Sequence, residues 1–250
     1  MDGISPSSSV VAMREWVVVL CLLAGCDASR EARASAMAWV DIEEVPADFS
    51  RVPVDVGGRS PRVRSPPPGF VSVEEAIPGA TLDVRYASAN NFTGAPLPGY
   101  AADTLWLHEE AASALSKVQA AVEREGMRLR IYDAYRPARA SEAMVAWAQA
   151  EGRMDLLRDG YIGPRSNHAR GNTVDLTLDG PDGAPLEMGT EWDAFERGSH
   201  YAEAQGEAME NRRLLRRVMK ADGFEPYAKE WWHFSIPTTR PRLDVPYRHD

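Results

Sequence analysis

The stretch RSNHARGNTVDLTL, residues 165–178, contains two candidate metal ligands and the strand that would carry one of them. His168 is one of only five histidines in the chain, and it precedes Asp175 by seven residues. Gly171 lies between them and permits a reversal of the backbone, so that the two side chains are able to converge. The spacing alone does not force them together, and a polar turn that enters a strand is the simpler alternative.

The alternating segment TVDLTL, residues 173–178, predicts a strand with two unlike faces. Valine and leucine occupy one face, and Asp175 and Thr177 occupy the other. Burying a carboxylate in the middle of such a strand costs free energy unless a cation or hydrogen-bond donors lie nearby. A divalent metal ion would supply the cation, whereas a hydrogen-bonded pair of Asp175 and His168 would be a purely structural solution.

A second candidate cluster lies in KEWWHFSI, residues 229–236, where Glu230 and His233 are three positions apart. In a helix they would share one face, but in a strand they would point to opposite faces unless a bulge or the strand's end redirects one. The alternative is a strand with an aromatic core and solvated ends. With His168 and Asp175, His233 would complete a ligand set that suits zinc and leaves its fourth position open for water. Glu230 would then be free to act as the base on that water.

A third candidate is Arg136 in YDAYRPARA, which follows an apolar strand and directly precedes Pro137. A permanently charged guanidinium at the end of a strand is suited to stabilising a developing oxyanion. The alternative is a surface salt bridge between Arg136 and Asp133 or Glu142.

The remaining patterns predict an α+β domain. Apolar residues recur at helical spacing in three segments, each closed by a glycine: residues 107–126, 138–152 and 207–223. Besides TVDLTL, extended segments are expected at residues 80–88, 127–135 and 224–236. Because helices and strands mix without a regular βαβ order, we expect a mainly antiparallel sheet flanked by helices.

The N-terminal segment has the pattern of a secretory signal peptide. Arg14 precedes the apolar run at residues 16–25, which is too short to span a bilayer. The run ends in LAGC, which resembles the lipobox of bacterial lipoproteins and implies that Cys26 is lipidated. A buried N-terminal helix is the alternative. The chain's only two cysteines, Cys21 and Cys26, both lie here, so a metal in the folded domain must be held by His, Asp or Glu.

These features divide the chain into a signal peptide at residues 1–26, a Pro/Gly/Arg-rich tether at 27–70 and a folded domain at 71–250. The expected location is the bacterial periplasm, with attachment to a membrane through the lipid anchor only. Asp27 resembles an inner-membrane retention signal, but the sequence does not decide between the inner and outer membranes. A net charge of −9 argues against a nucleic-acid partner, which would need a basic face.

The segments SNHARGNTVDLTL, EWWH and DAYRP together resemble the zinc D-alanyl-D-alanine dipeptidases, the VanX-like branch of the D,D-peptidases. Further matches are DVRYASANNFTG, MGTEWDAF and NRRLLRRVMKADGF, and all of these motifs occur in the family's order. The resemblance extends from about residue 70 to residue 240. It implies a single zinc-peptidase domain of the hedgehog-like D,D-peptidase type, with the dipeptide D-Ala-D-Ala as substrate.

The resemblance also implies a role for each candidate residue. One zinc ion per chain would bind His168, Asp175 and His233, with Glu230 as the general base and Arg136 on the scissile carbonyl. Ser166 would hold the substrate carboxylate, and Asp193 and Tyr86 would hold its amino group. For Asp193, a cap of the following helical turn is the alternative. Such a pocket would reject longer peptides, because a buried unpaired polar group is costly.

The implied reaction is hydrolysis of D-Ala-D-Ala to two D-alanines by metal-activated water, in cell-wall turnover or dipeptide scavenging. Two alternatives remain, a D,D-carboxypeptidase that trims peptidoglycan stem peptides and a non-catalytic, zinc-stabilised wall-binding lipoprotein. The segments RYASANNF and MGTEWD, which would close the amino end of the site, argue against the first. Glu230 and Arg136 argue against the second, because a binding module does not need a base.

Overall fold

The computed structural model describes residues 64–101 and 104–248, which belong to a compact unit spanning Gly58–Asp250. The predicted signal peptide, Cys26 and the tether as far as residue 63 lie outside the described residues. The Arg64 backbone N–H donates to the carbonyl of Tyr247 at 2.7 Å, so the segment predicted as tether already contacts the domain at Arg64. Within the described ranges, no helix combines the length and apolar character needed to cross a membrane.

The described residues form five α-helices and seven strands, numbered here in chain order. The helices are α1 (Val73–Ala76), α2 (Glu109–Glu123), α3 (Ala138–Ala150), α4 (Met154–Arg158) and α5 (Gly206–Ala221). The strands are β1 (Phe70–Ser72), β2 (Thr81–Leu82), β3 (Trp106–His108), β4 (Arg128–Asp133), β5 (Thr173–Asp179), β6 (Glu225–Pro226) and β7 (His233–Ser235). Short 3₁₀ turns complete the fold, including Asn167–Arg170 and Arg197–Ser199.

The main sheet has five strands in the order β2-β4-β5-β7-β6. Only β2 and β4 pair in parallel, and the other three pairs are antiparallel. Strands β1 and β3 form a separate antiparallel pair. This architecture confirms the predicted α+β class with a mainly antiparallel sheet. Because β5 is the middle strand, all seven of its residues are buried, and the polar face predicted for TVDLTL lies inside the protein.

The three long helices agree with their predicted positions, and α3 and α5 end within two residues of them. Helix α2 begins at Glu109 rather than at residue 107, because Trp106–His108 pairs with β1 as a strand. His108 then caps the helix, since its side chain accepts a hydrogen bond from the Glu110 backbone N–H.

Two predicted strands are shorter than expected. The segment at residues 80–88 is extended only over β2, after which a 3₁₀ turn at Arg85–Ala87 directs Tyr86 into the core, where it is 1% exposed. The segment at residues 224–236 is not one strand, because β6 and β7 fold back on each other as a hairpin. Alternation of apolar residues does not encode where a strand turns, so both lengths were overestimated.

Gly171 forms the predicted reversal between His168 and Asp175. Its φ is +72°, a left-handed conformation that ends the 3₁₀ turn Asn167–Arg170 and leads into β5. Phe70 of β1 packs directly against it, so that a Cβ atom at this position would lie 2.1 Å from Cε1 of Phe70. Both the backbone conformation and the available space therefore require glycine.

Gly171→Ala is expected to lower the free energy of unfolding by about 2–5 kcal/mol, because left-handed strain and overlap with Phe70 add together. Gly152→Ala is the matched control, since Gly152 also has a positive φ of +68° but nothing within 4 Å of an added Cβ. The control isolates the strain, about 1–2 kcal/mol. Urea unfolding measures both, and equal losses would show that the Phe70 contact does not constrain this turn.

Candidate active site

Three potential metal ligands converge at the centre of the main sheet. Asp175 of β5 and His233 of β7 are directly paired across the antiparallel strands, so their side chains lie on the same face. His168 reaches the same point from the 3₁₀ turn before β5. His233 Nδ1 lies 3.0 Å from Asp175 Oδ1, His168 Nε2 lies 3.3 Å from that oxygen, and the two ring nitrogens are 3.4 Å apart.

These three atoms have the spacing that a tetrahedral metal ion requires. Zinc bonds of about 2.1 Å in tetrahedral geometry place neighbouring ligand atoms about 3.4 Å apart. Two imidazoles and one carboxylate are a ligand set of catalytic zinc sites, in which the fourth position serves water or substrate. The residues therefore fit one zinc ion, and they are the three that the sequence singled out. Among the described residues, His168, Asp175 and His233 form the group of side chains whose ligand atoms lie close enough to hold a metal ion.

The tautomer of His168 is set by the backbone. Its Nδ1 atom lies 2.7 Å from the carbonyl oxygen of Ala134, which can only accept a hydrogen bond. Nδ1 therefore carries the proton, and Nε2 presents its lone pair to Asp175 and His233. The ring is 1% exposed, so this arrangement is fixed inside the protein.

The ionisation of the other two ligands also suits a metal ion. Burial lowers the pKa of His233, against the opposing hydrogen bond with Asp175, so this imidazole is neutral near pH 7. Burial would raise the pKa of Asp175, but its close contacts with His168 and His233 lower that pKa below its ordinary value. Metal binding requires neutral imidazoles and an ionised carboxylate.

Glu230 lies beside the ligands, in the turn between β6 and β7. The turn brings its Oε2 atom to 3.6 Å from His233 Nδ1, and the His233 backbone N–H donates to the Glu230 carbonyl at 3.3 Å. The end of the strand therefore places both residues at the site, an outcome that the sequence left open. Burial, followed by the charges of Asp175 and Asp193, raises the pKa of Glu230 well above its ordinary value. A carboxyl group with a raised pKa beside a metal site is suited to proton transfer.

Arg136 follows β4 and extends toward the same site. Its Nε and Nη2 atoms both lie 2.8 Å from Asp133 Oδ2, and Nη2 lies 3.5 Å from Asp175 Oδ2. The guanidinium also lies over the Tyr86 ring, with 5.2 Å between its carbon and the ring centroid. The ion pair with Asp133 that the sequence suggested is therefore present. It is buried, however, and holds Arg136 beside the ligands instead of on the surface.

Asp133 also belongs to the site, although the sequence suggested it only as a salt-bridge partner of Arg136. It is fully buried at the end of β4. Its carboxylate accepts hydrogen bonds from Tyr100 Oη at 2.6 Å and from Arg136 Nε at 2.8 Å, and lies 3.4 Å from His168 Nδ1. It thus fixes Arg136 and supports a metal-ligand candidate at the same time. The available signal was its position in DAYRP, three residues before Arg136.

Asp193 and Tyr86 form a directly bonded pair. The Tyr86 hydroxyl donates to Asp193 Oδ2 at 2.6 Å, and the following 3₁₀ turn at Arg197–Ser199 has Glu196, not Asp193, at its N-cap. Burial raises the pKa of Asp193 to about 8, with a contribution from the charge of Asp175 and opposition from the Tyr86 hydrogen bond. Among the described residues, Asp193 is the one non-glycine residue with a positive φ, +59°. The structure thus brings together these two predicted substrate contacts.

Ser166 lies at the start of the 3₁₀ turn that carries His168. Its hydroxyl accepts a hydrogen bond from the His168 backbone N–H at 3.3 Å, so it acts as the N-cap of that turn. The residue is half-buried. This contact places Ser166 next to the ligand set, and its role toward a substrate carboxylate remains a prediction.

Without a bound metal, the site holds more negative than positive charge. Four carboxyl groups, Asp133, Asp175, Asp193 and Glu230, surround the single guanidinium of Arg136. Each buried carboxylate raises the cost of ionising its neighbours. A divalent cation at the ligand set would balance this excess.

In the metal-free protein, stability is expected to fall as pH rises from about 6.5 to about 8. An acid whose pKa is higher in the folded than in the unfolded chain binds more protons when folded, so rising pH favours unfolding. Asp193 and Glu230 are such acids. The lowered pKa of His233 has the opposite effect, so that it makes stability rise with pH. This effect is confined to pH values below about 6.5, the ordinary histidine pKa.

Urea unfolding of the chelated protein across this window measures the effect, expected to be on the order of 1 kcal/mol. Asp193→Asn should flatten the dependence of stability on pH. It removes the raised pKa of Asp193, and without the Asp193 charge the pKa of Glu230 is lower. Glu125→Gln, which removes an exposed carboxylate just after α2, should leave the pH dependence unchanged. Stability that rises with pH across the window would contradict the assignment.

Several known proteins are similar to this chain. The Peptidase_M15 family model, described as D-ala-D-ala dipeptidase, matches residues 67–249. A D-alanyl-D-alanine dipeptidase of Enterococcus faecalis (strain ATCC 700802 / V583) is 35% identical over 195 residues, covering 72% of this chain and 94% of the relative. One of Enterococcus faecium is 36% identical over 185 residues, covering 67% and 91%. The solved LdcB LD-carboxypeptidase aligns over 68% of each chain, with 17% identity and a TM-score of 0.42.

The family model covers the domain from before β1 to the end of the described chain, including every ligand candidate, Glu230 and Arg136. The resemblance stated from the sequence motifs is therefore confirmed, and the chain belongs to the Peptidase_M15 family of D-Ala-D-Ala dipeptidases.

Proposed function

We propose that this chain is a zinc-dependent dipeptidase that hydrolyses D-alanyl-D-alanine to two molecules of D-alanine. The observation that carries the proposal is the convergence of His168, Asp175 and His233 within 3.4 Å of one another, with Glu230 beside them. The proposal includes one zinc ion per chain, because three ligand atoms meet at a single point. The names of the relatives, D-alanyl-D-alanine dipeptidases, support the choice of substrate.

Glu230 would transfer the proton that hydrolysis requires. A bound zinc ion supplies Lewis acidity, which polarises the scissile carbonyl and makes water acidic enough to react near neutral pH. Glu230 would take a proton from the attacking water and give it to the nitrogen of the leaving D-alanine. The new C–O bond and the broken C–N bond thus balance, with one water consumed. Burial of Glu230 favours its protonated form, which suits the donating half of this cycle.

Arg136 would stabilise the negative charge that forms on the carbonyl oxygen. Its guanidinium is always protonated and lies beside the ligands, 3.5 Å from Asp175 Oδ2. Asp133 holds the guanidinium by hydrogen bonds before substrate arrives, so little reorganisation is needed during the reaction.

The two ends of the dipeptide would be recognised by opposite chemistry. Asp193, bonded to the Tyr86 hydroxyl, would pair with the substrate ammonium, while Ser166 would donate to its carboxylate. A stem peptide carries an amide where the dipeptide has the ammonium. Asp193 would then be buried without a cationic partner, and this penalty favours the dipeptide over the D,D-carboxypeptidase alternative.

The deciding assay incubates zinc-loaded protein with D-Ala-D-Ala or with a stem pentapeptide and measures released D-alanine. We expect at least about a hundredfold higher kcat/KM for the dipeptide, because the pentapeptide has no ammonium to pair with Asp193. A preference for the pentapeptide would indicate a D,D-carboxypeptidase. Hydrolysis of neither, together with stoichiometric zinc, would indicate a binding protein.

The same assay is combined with a measurement of zinc content. Glu230→Gln should retain zinc and lower kcat by about 10²–10⁴, the usual contribution of a general base. His233→Ala should lose zinc. Glu225→Gln on β6 is the matched control, because this exposed acid lies outside the site and should leave both quantities unchanged. A Glu230→Gln protein with a near-normal rate would remove Glu230 from the mechanism.

The proposal extends to location. We infer that Cys26 carries a lipid that holds the enzyme at a bacterial membrane, facing the periplasm, where it would serve cell-wall turnover or dipeptide scavenging. The support is the LAGC sequence after a signal-like apolar run. The net charge of −9 fits a protein without a nucleic-acid partner.

Labelled palmitate should be incorporated into the wild-type protein in bacterial cells and lost in Cys26→Ser. Cys21→Ser is the matched control, because this cysteine lies inside the apolar run and should not affect labelling. Density fractionation of the labelled protein would assign the membrane. A soluble, unlabelled wild-type product would reject the anchor while leaving the dipeptidase assay unaffected.

A further inference from the structure

Arg212 of helix α5 is a buried arginine that binds only backbone carbonyls. It is 1% exposed, and each guanidinium nitrogen donates to a different oxygen. Nε bonds Met188 at 2.6 Å, Nη1 bonds His200 at 2.7 Å and Nη2 bonds Gly198 at 2.9 Å. Within residues 64–101 and 104–248, no carboxylate forms an ion pair with it. Arg212 lies within the segment NRRLLRRVMKADGF, and the family resemblance implies no role for it.

The three carbonyls lie at the two ends of the loop that carries Asp193. Between Met188 and the 3₁₀ turn at Arg197–Ser199, this loop has no helix or strand. Arg212 therefore joins the beginning of the loop to its end. Asp193 lies inside it with a φ of +59°, a conformation that costs a non-glycine residue free energy and persists only where the surroundings hold it.

Arg212 also contacts the segment that carries Glu230. Its guanidinium carbon lies 5.9 Å from the ring centroid of Trp231, the residue after Glu230. The Trp231 indole N–H donates to Thr190 Oγ1 at 2.9 Å, and the Trp231 backbone N–H donates to the Ser199 carbonyl at 3.1 Å. One connected unit thus links the Asp193 loop with the turn that presents Glu230.

The arrangement is costly if its purpose is stability alone. Burying a cation without a counterion carries a desolvation penalty that an apolar side chain would avoid. Burial accordingly lowers the pKa of Arg212, and the charge of Glu187 offsets only part of the effect. The guanidinium instead provides three hydrogen bonds of fixed direction, because its planar group reaches three separate carbonyls. A lysine ammonium cannot reproduce this arrangement.

We propose that Arg212 is a positioning residue for substrate recognition: it fixes Asp193 relative to Glu230 and so sets the enzyme's preference for a dipeptide with a free amino group. This inference rests on the proposed dipeptidase function. Among the described residues, Arg212 contacts none of the three metal-ligand candidates, and it acts through the loop backbone and Trp231.

The test compares D-Ala-D-Ala with N-acetyl-D-Ala-D-Ala, which lacks the ammonium. In Arg212→Lys, the ratio of kcat/KM for the free over the acetylated dipeptide should fall about ten- to a hundredfold, the effect of losing hydrogen bonds from a charged group. The loss should appear mainly as a higher KM for the free dipeptide. Arg213→Lys is the matched control, because the neighbouring Arg213 is exposed and pairs with Glu210 on the surface.

A coupling measurement separates positioning from general destabilisation. In an Asp193→Asn background, Arg212→Lys should change the selectivity ratio by less than twofold, because the group that it positions is already absent. Zinc content and the thermal unfolding midpoint are measured on each variant. If Arg212→Lys lowers the rates on both substrates equally, or if its effect adds fully to that of Asp193→Asn, the proposal is overturned.

If Arg212→Lys does not fold, Thr190→Val tests the positioning role of Arg212 instead. This substitution removes the oxygen that accepts from the Trp231 indole while keeping the side-chain volume. It should shift the selectivity ratio in the same direction by a smaller factor, and an unchanged ratio would overturn the proposal. A wild-type enzyme that hydrolyses neither substrate would refute the dipeptidase function itself, whereas a selective wild type with an equally selective Arg212→Lys refutes only the role of Arg212.

Discussion

The buried carboxylate of Asp175 is the constraint on which the site depends. It lies in the middle strand of the main sheet and is 2% exposed, in a position where an unpaired charge is costly. The fold surrounds it with two imidazoles and a guanidinium, and pairs it directly with His233 across the sheet. The ligand cluster is thus built into the strand register, and a slip of one residue would turn Asp175 to the opposite face.

Asp133 connects the electrostatic and catalytic parts of the site. It closes β4, holds Arg136, and lies beside the proton-bearing nitrogen of His168. Tyr100 donates to the same carboxylate from the surrounding core. Because one buried acid supports both groups, the guanidinium and the metal ligand candidate cannot move independently. Arg212 has a comparable effect on the loop of Asp193, where its guanidinium binds neutral carbonyls instead of a carboxylate.

The sequence predicted the fold best where periodic patterns were long. The three main helices have regular apolar spacing over three or more turns, and each was located to within a few residues. Short elements escaped detection, since β1, β3, α1 and α4 have five residues or fewer and take their form from neighbours. The lengths of the segments at residues 80–88 and 224–236 were overestimated for the same reason, because tertiary packing decides where they turn.

The sequence by itself determined the candidate donor set, the glycine reversal at Gly171 and the family, because these depend on residue type, order and local conformation. Tertiary structure alone decided which ring nitrogen of His168 faces the ligands, how the hairpin brings Glu230 beside His233, and that Asp133 and Arg212 support the site. These features arise from contacts between segments distant along the chain. Their geometry and burial set protonation and orientation, and neither quantity is encoded in any single stretch of residues.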